Sequence, residues 1–272
     1  MVVQHNLTAM NSNRMLGITT SAQAKQTERL SSGYRINRAA DDAAGLSVSE
    51  KMRRQIRGLD QASTNAQDGV SLVQSAEGAM NEISDMLQRM NELAVKAANG
   101  TYTSTQKQYI ADEVNQLASE IERIATTTKF NDQKVLSGGK SFTFQVGNEN
   151  GETLSVTITD MKGVATALSM TNNWKASTNT APSTFIDTVK TQMETVASAR
   201  SALGAVQNRL EHTISNLDNI VENTTAAESR IRDTDMAKTM VTYSNNQILA
   251  QAGQAMLAQA NQTNQGVLSL LS

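Results

Sequence analysis

The residue types that catalysis usually needs are scarce in this sequence. Histidine occurs only as His5 and His212, so no histidine-based metal cluster is possible, and no H-E-x-x-H pattern is present. The absence of cysteine excludes disulfides, cysteine metal sites and thiol catalysis. His212 follows Glu211, and we interpret these two side chains as a solvated pair on one helix, because charged side chains are rarely buried. No metal site is predicted.

Serine and lysine occur twice at the spacing of a serine–lysine nucleophile, at Ser104 and Lys107 and, in a glycine-rich turn, at Ser137 and Lys140. The companion S-D-N and K-T-G elements are missing. The run G-K-S at 139–141 ends like a phosphate-binding loop, yet Lys134 stands where the first glycine of that loop should be. All of these matches are better explained by chance. We therefore predict that the chain is not an enzyme and binds no cofactor.

Two groups of charged residues could instead serve a ligand. Asp41 and Asp42 could bind a cation, although two carboxylates that open a helix serve the helix dipole equally well, and we favour that interpretation. Arg53, Arg54 and Arg57 could contact nucleic acid, but no aromatic side chains accompany them, and the chain carries 24 basic against 26 acidic residues. A solvated or inter-subunit face is the better interpretation of the arginines. No nucleic-acid partner is predicted.

Composition favours long helices over a compact globule. Hydrophobic residues make up 39% of the 272 residues, but aromatic residues only 3%, and there is a single proline. Proline interrupts helix interiors, and a globule of this length would normally bury more aromatic side chains. No basic segment followed by an apolar one opens the chain, so no cleaved secretory signal is expected. No apolar run approaches the roughly 20 residues of a membrane span, so membrane insertion is not expected either.

Hydrophobic periodicity predicts where the helices lie. Apolar residues recur at helical spacing in 1–32, in 46–98 and from 104 into 126–128, and again from 189 through 221 towards the end of the chain. Between these helical stretches, apolar residues alternate with polar ones on both sides of the turn sequence GNENG, which predicts a β-hairpin near 140–160. The segment 162–181, which contains Trp174, is expected to be a surface loop or a small cap.

Turn and cap residues mark the ends of these helices. Gly33 follows the first helical stretch. Asn99 and Gly100 are expected to stop the second in a left-handed C-cap. Thr103 and Gln106 have the spacing of a capping box that would open the next helix.

Both ends of the chain are uncharged and patterned for burial. After Lys238 no side chain is ionised, and His5 is the one ionisable side chain before Arg14. Chain ends usually fray, so apolar stripes at both ends suggest that the ends pair with each other and with other copies. We predict a self-assembling subunit. Its polymerisation core is expected to comprise Val3, Leu7, Met10, Leu249, Ala252, Met256, Ala260, Val267 and Leu271.

The predicted fold is mainly α. It is an elongated, hairpin-like bundle of long antiparallel helices with a small β-hairpin tip, and its terminal helices pair as a coiled coil. We expect 1–40 to provide the N-terminal helix of an inner domain and a connector, and 235–272 to provide its C-terminal helix. Residues 41–234 are expected to form a second helical domain with a reduced central region at 161–183.

Several long segments resemble the signature blocks of bacterial flagellin. They are ERLSSGYRINRAADDAAGLSVSEKMRRQIRGL at 28–59, LGAVQNRLEHTISNL at 203–217 and AAESRIRDTDMAK at 226–238. The resemblance implies a flagellar filament subunit that is exported unfolded through the flagellar type III channel and polymerises beneath a filament cap. It also implies an export chaperone and hook-junction proteins as partners, and a place in the extracellular flagellum. With a short centre, the filament is expected to be slender and smooth.

The segment LQRMNELAV at 87–95 resembles the part of flagellin that the flagellin-sensing Toll-like receptor binds. Arg89, Leu93 and Glu113 match the contact positions of that segment, whereas Asn91 and Lys96 stand where it commonly has Arg and Gln. The resemblance therefore implies that this receptor is a partner.

Two other functions are weighed against a filament subunit. A hook–filament junction protein would share the terminal helices, but the match in the middle helices and the reduced centre favour flagellin. A secreted enzyme displayed on a filament would need the chemistry that the two histidines cannot supply.

Overall fold

The structure is a computed structural model, and it describes residues 6–168, 174 and 180–269. Six helices account for most of the described chain, which confirms the mainly α fold. The helices are α1 (Leu7–Ser32), α2 (Ala43–Ala98), α3 (Ser104–Thr127), α4 (Met161–Leu168), α5 (Thr180–Arg232) and α6 (Met236–Ser269). Four short strands lie between α3 and α4: β1 (Lys129–Phe130), β2 (Gln133–Lys134), β3 (Ser141–Gln145) and β4 (Thr153–Thr157).

Local sequence signals fix most of the helix ends. The Asn6 side chain accepts a hydrogen bond from the backbone N–H of Ala9 and so caps α1, and Gly33 closes the helix in the left-handed conformation at φ 76°. The Asp42 carboxylate accepts from the N–H of Gly45 at 2.9 Å, as an N-cap of α2 does. Thr103 and Gln106 form the predicted capping box at the start of α3.

The end of α2 differs from the prediction. The helix stops at Ala98, as expected, but neither Asn99 nor Gly100 adopts a positive φ, so there is no left-handed cap here. Instead the Asn99 N–H donates to the carbonyl of Lys96 at 3.3 Å, and the Asn99 side chain accepts from the N–H of Thr101. These bonds satisfy the helix end and turn the chain directly into the capping box of α3.

One continuous apolar core joins α2, α3 and α5 with the hairpin and α4. Three pairs of neighbours, Ser63 with Asp218, Gly69 with Leu210 and Glu77 with Arg200, run in opposite chain directions, so α2 and α5 are antiparallel. A Cβ at Gly69 would lie 3.3 Å from Leu210 and 3.4 Å from Phe144, so the missing side chain lets α2 approach both α5 and the hairpin. Large core side chains that are fully buried include Met80, Ile83, Leu87, Met90, Ile121, Leu203 and Leu210.

The predicted hairpin is confirmed in position. β3 and β4 are antiparallel, with Phe142 opposite Val156 and Phe144 opposite Leu154. Leu154 and Val156 are buried against the helices, and the Asn65 side chain of α2 donates to the carbonyl of Gln145 at 3.0 Å. The alternating pattern therefore identified the face that packs on the core.

Two elements were not predicted. β1 and β2, of two residues each, form a hairpin whose turn residues Asn131 and Asp132 have positive φ. Of the two alternatives expected for 162–181, a surface loop or a small cap, the surface loop is wrong in the described first part, because α4 buries Val164, Ala165 and Leu168 in the core there. Trp174 is also buried, with its ring 5.6 Å from that of Phe185 in an edge-on contact.

The chain forms two compact units. One comprises residues 1–56 and 222–272, and the other comprises residues 57–221. The predicted division at 40/41 and 234/235 concerns layers of an assembly, which a single chain does not test, and it stays a prediction.

Candidate assembly surface

Backbone hydrogen bonds join the two terminal helices at one end. The N–H of Thr234 donates to the carbonyl of Gly33 at 2.9 Å, and the N–H of Arg35 donates to the carbonyl of Arg232 at 2.7 Å. Tyr34 and Asp233 form an isolated antiparallel bridge between these two bonds. The turn after α1 is therefore paired with the turn before α6, which sets the register of the two helices.

Arg232 anchors this junction with its side chain. The guanidinium carbon lies 4.4 Å from the centre of the Tyr34 ring, and Nη1 lies 3.6 Å from a carboxylate oxygen of Glu50 and 3.9 Å from one of Glu228. Glu228 also accepts a hydrogen bond from the fully buried Ser49 hydroxyl at 3.2 Å. A partly buried cation between an aromatic face and two carboxylates stabilises the turn more than an exposed ion pair would.

From this junction α1 and α6 pack along each other as an antiparallel pair. The Asn6 side chain at the start of α1 donates to the carbonyl of Ala260 at 3.0 Å, and Leu16 contacts Gly253. We call the half-buried and buried residues that recur along this helix pair at steps of three and four, as in a coiled coil, the seam. The seam includes Ala9, Ser12, Leu16, Thr19, Gln23, Gln26 and Leu30 on α1 and Thr239, Tyr243, Asn246, Ala250, Gly253, Leu257 and Ala260 on α6.

The predicted polymerisation residues lie mostly outside the seam. Leu7 is 68% exposed, Met10 63%, Leu249 58% and Met256 62%, and Ala252 is exposed as well. Ala260 alone is half-buried at the edge of the seam. Val3 and Leu271 lie outside the described residues, as does the side chain of Val267.

The terminal helices pair with each other, as predicted. Of the described residues expected in the polymerisation core, Ala260 lies in the seam and the others are exposed, and their role in polymerisation stays a prediction. Sequence reasoning followed the large apolar side chains, whereas the seam uses mostly small and polar ones. The signal that could have revealed it is the run of small residues at Ala250, Gly253 and Ala260, which lies about a quarter turn from the apolar stripe of α6.

We call the large apolar side chains of α1 and α6 that are exposed outside the seam, taken together, the outer face. Its described members are Leu7, Met10, Met15, Ile18, Met236, Met240, Val241, Ile248, Leu249 and Met256. On α6 they lie around the helix rather than along one stripe, because Met240 and Leu249, nine residues apart in sequence, are on opposite sides.

The residues matched to the receptor segment lie elsewhere, on α2 and α3. Arg89 donates to Glu113 from Nε at 3.1 Å and from Nη2 at 2.9 Å, and its Nη1 donates to Glu92 at 3.2 Å. The hydrogen bonds from Arg89, first to Glu113 and then to Glu92, raise the pKa of the guanidinium above its usual value. Leu93 is only 2% exposed and packs in the core. Arg89 and Glu113 are thus adjacent and exposed, while Leu93 can act only by positioning the helix around them.

Asp41, one of the two candidate cation ligands, has a structural role, because its carboxylate oxygens contact a lysine and backbone N–H groups. Its Oδ1 lies 2.8 Å from Nζ of Lys25 on α1, and its Oδ2 accepts from the N–H groups of Asn37 and Arg38. The bond from Lys25 and then the two backbone N–H groups lower the pKa of Asp41 to about 2. The carboxylate therefore ties α1 to the connector that leads into α2.

Asp41→Asn should weaken the acid dependence of stability. A carboxyl whose pKa is lowered in the folded state stabilises it above the unfolded value of about 3.9, and loses that contribution as pH falls to about 2. The free energy of unfolding of the variant should therefore fall less steeply between about pH 4 and pH 2, as measured by circular dichroism in denaturant. Asp85→Asn, at an exposed position of α2, is the control. An unchanged pH profile for Asp41→Asn would contradict this role.

Other sites for chemistry are sparse in the described part of the chain. There, no group of three or more His, Asp or Glu residues is placed to hold a metal ion. A cavity of about 500 Å³ beside the hairpin is lined by Leu72, Phe130, Phe142 and Phe144 with a single carboxylate, Asp68, so it offers no acid–base pair. None of the described helices combines the length and apolarity that crossing a membrane requires.

Comparisons with known proteins decide the family. Residues 3–141 match the bacterial flagellin N-terminal helical region, and residues 186–271 match the bacterial flagellin C-terminal helical region. The chain belongs to the bacterial flagellin family. It is 53% identical to a flagellin of Halalkalibacterium halodurans over 274 residues, with all of both chains covered. It is 47% identical over 285 residues to the flagellar filament 31.3 kDa core protein of Treponema maltophilum, again with all of both chains covered.

A solved structure agrees with this assignment. The crystal structure of Bacillus cereus flagellin is 31% identical, covers 57% of this chain and 88% of that one, and superposes with a TM-score of 0.51. As a member of the family, the chain is a filament subunit that assembles with copies of itself in the extracellular flagellum. The sequence resemblance is thereby confirmed.

Proposed function

We propose that the outer face of α1 and α6 is the surface through which copies of this flagellin polymerise. The observation that supports this is the exposure of ten large apolar side chains on two helices, of which α6 carries one charged residue, Lys238. Exposed apolar surface on this scale marks an interaction site. By sequence pattern, Val3, Val267 and Leu271 extend the same surface towards both chain ends.

Polymerisation through this face would convert a weak pair into a stable tube. The seam of mostly small and polar residues buries little apolar area, so the pair gains little from its own packing. Each Leu or Met side chain that a neighbouring copy buries contributes on the order of 1.5 to 3 kcal/mol before the entropy of ordering is subtracted. In this arrangement residues 1–40 and 235–272 form the inner tube and residues 41–234 the second layer.

Removing 250–272 should prevent polymerisation. The truncation deletes Met256 of the outer face, the predicted polymerisation residues Val267 and Leu271, and the seam residues from Ala250 to Ala260 that hold α1. We expect a soluble, partly helical monomer, because the core of residues 57–221 is left intact. Electron microscopy and sedimentation after salt-induced assembly would test this. Normal filaments from the truncated chain would overturn the assignment of the outer face.

The same uncharged ends suit the transient partners that a flagellin needs. We propose that an export chaperone covers the outer face before assembly, and that the chain passes unfolded through the flagellar type III channel. Filament cap and hook-junction proteins would then meet the helices as they fold at the growing end. The absence of cysteine is compatible with unfolded export, because no disulfide can form before or during it.

The paired Arg89 and Glu113 support a second proposal, that the flagellin-sensing Toll-like receptor binds this face of α2 and α3. Both side chains are exposed and already held in one geometry by two hydrogen bonds, so little side-chain entropy is lost on binding. Leu93 supports the site from within the core.

Arg89→Ala should reduce receptor activation. It removes the donor of both bonds to Glu113 and leaves the core untouched, so the loss reflects the surface alone. A reporter assay with the purified chain measures the response, and Arg123→Ala, which removes an exposed ion pair with Glu120 elsewhere on α3, is the matched control. Equal responses from Arg89→Ala and the parent chain would remove the assignment.

A further inference from the structure

The thirteen methionines of the chain are unevenly placed. In the part of the chain that the structure describes, Met80, Met90 and Met161 are fully buried in the core. Five others are between 50% and 63% exposed, and all five lie on the two terminal helices. These five are Met10, Met15, Met236, Met240 and Met256.

All five exposed methionines belong to the outer face. They make up half of its ten described large apolar residues, and the other five are leucine, isoleucine and valine. Methionine packs much as leucine does, but its thioether can be oxidised, and susceptibility follows exposure. The surface that we assign to assembly is therefore also the most oxidisable surface of the free subunit.

We propose that these five methionines are a modification site for hydroperoxides, and that their oxidation blocks the assembly of the free subunit. The inference rests on the proposed role of the outer face. In the reaction the thioether sulfur attacks one peroxide oxygen, the O–O bond breaks, and an S–O bond forms. Sulfur loses two electrons to the peroxide. When the oxidant is hydrogen peroxide, one oxygen stays on sulfur, and the other takes up the proton of the transferred oxygen and leaves as water.

The sulfoxide product makes the outer face more polar. A sulfoxide is polar and accepts hydrogen bonds from water, so burying it between subunits without a donor carries a desolvation cost that the thioether does not have. The buried methionines of the core react more slowly, so oxidation should disable assembly before it disturbs the fold.

Assembly should in turn protect the same residues. If neighbouring copies bury the outer face, then Met10, Met240 and Met256 become inaccessible to peroxide within a filament. Oxidation would thus select against damaged free subunits without damaging finished filaments. Because sulfoxides are reduced by stereospecific methionine sulfoxide reductases, the block should be reversible.

The experiment treats the full-length free chain and preformed filaments with hydrogen peroxide. Peptide mass spectrometry follows each methionine, and sedimentation measures the critical concentration for assembly. We expect the five exposed methionines of the free chain to oxidise faster than Met80, Met90 and Met161, and to be protected in filaments. The critical concentration should rise by about tenfold or more, and should return after treatment with both reductase classes.

Two variants make the test specific. The fivefold variant M10L/M15L/M236L/M240L/M256L keeps the face apolar at similar volume, and its critical concentration after peroxide treatment should equal its own value before treatment. The matched variant M80L/M90L/M161L lacks the buried sulfurs and should remain as sensitive as the parent chain.

Three results would overturn the inference: equal oxidation rates at exposed and buried methionines, unchanged assembly of oxidised chains, or inhibition that persists in the fivefold variant. Failure of the untreated chain to assemble, or equal oxidation in free chain and filament, would instead count against the outer face as the assembly surface.

Discussion

Replacing Leu249 and Met256 together by aspartate should abolish filament formation and leave the chain folded. Both side chains are more than half exposed in the single chain, and they lie two turns apart on α6. Nothing inside the subunit depends on their apolar character, so the helix should persist. The intrinsic helix propensity of aspartate costs at most about 0.7 kcal/mol per position.

The expected size follows from what assembly would bury. Losing two apolar side chains forfeits about 3 to 6 kcal/mol per subunit contact, and each 1.4 kcal/mol corresponds to about a tenfold change in affinity. Burying two carboxylates without partners adds a further penalty. The critical concentration should therefore rise by at least about a hundredfold, beyond the range of ordinary assembly assays.

A control on the same helix separates the loss of Leu249 and Met256 from the addition of charge. Gln247→Asp introduces one carboxylate at an exposed polar position off the predicted stripe and should have a much smaller effect. Circular dichroism before assembly establishes that the variants remain helical. Filaments from the Leu249 and Met256 double variant at parental concentrations would show that α6 does not assemble through these residues.

The outer face and the seam show how much of the site the sequence could predict. Leu249 and Met256, which the apolar stripe assigns to the polymerisation core, are exposed in the single chain, and their role in assembly stays a prediction. The seam was missed because hydrophobic periodicity gives no weight to Ser12, Gln23 or Asn246. A close helix pair needs small side chains and tolerates polar ones, which a pattern of large apolar residues cannot reveal.

The fold was predictable where one local rule decided the outcome. The structure confirms the predicted capping box at Thr103. It also confirms the alternating pattern of β4, whose Leu154 and Val156 are buried in the core. The segment from Met161 was mistaken for a loop because its neighbours are rich in serine, threonine and asparagine, whereas the burial of α4 depends on the distant helix α3. The left-handed cap predicted at Asn99 and Gly100 is wrong because two other hydrogen bonds satisfy the end of α2.

The two compact units differ in how many of their large apolar side chains are buried within the single chain. Residues 57–221 bury their large apolar side chains within the chain, and the described terminal helices bury almost none. Residues 57–221 therefore have an apolar core of their own, whereas the terminal helices need contacts with other copies to bury their large apolar side chains. Stability and assembly should consequently respond to different mutations.

Leu87→Ala tests that separation from the side of stability. Leu87 is fully buried on α2 within the apolar core, so its truncation removes packing and leaves a cavity. Substitutions of this type cost about 2 to 5 kcal/mol, a large part of the stability of an ordinary domain. Guanidinium unfolding followed by circular dichroism should show a lower midpoint, and Gln88→Ala, at the adjacent exposed position, should change it little.

The decisive readout is assembly below the unfolding transition. Because Leu87 lies far along the chain from α1 and α6, in the other compact unit, the variant should still polymerise at temperatures where it is folded. The Leu249 and Met256 double variant should do the reverse, with parental unfolding of the core and no filaments. If Leu87→Ala lost assembly while still fully folded, then the core of residues 57–221 would have to contribute directly to subunit contacts, and the outer face alone would not explain polymerisation.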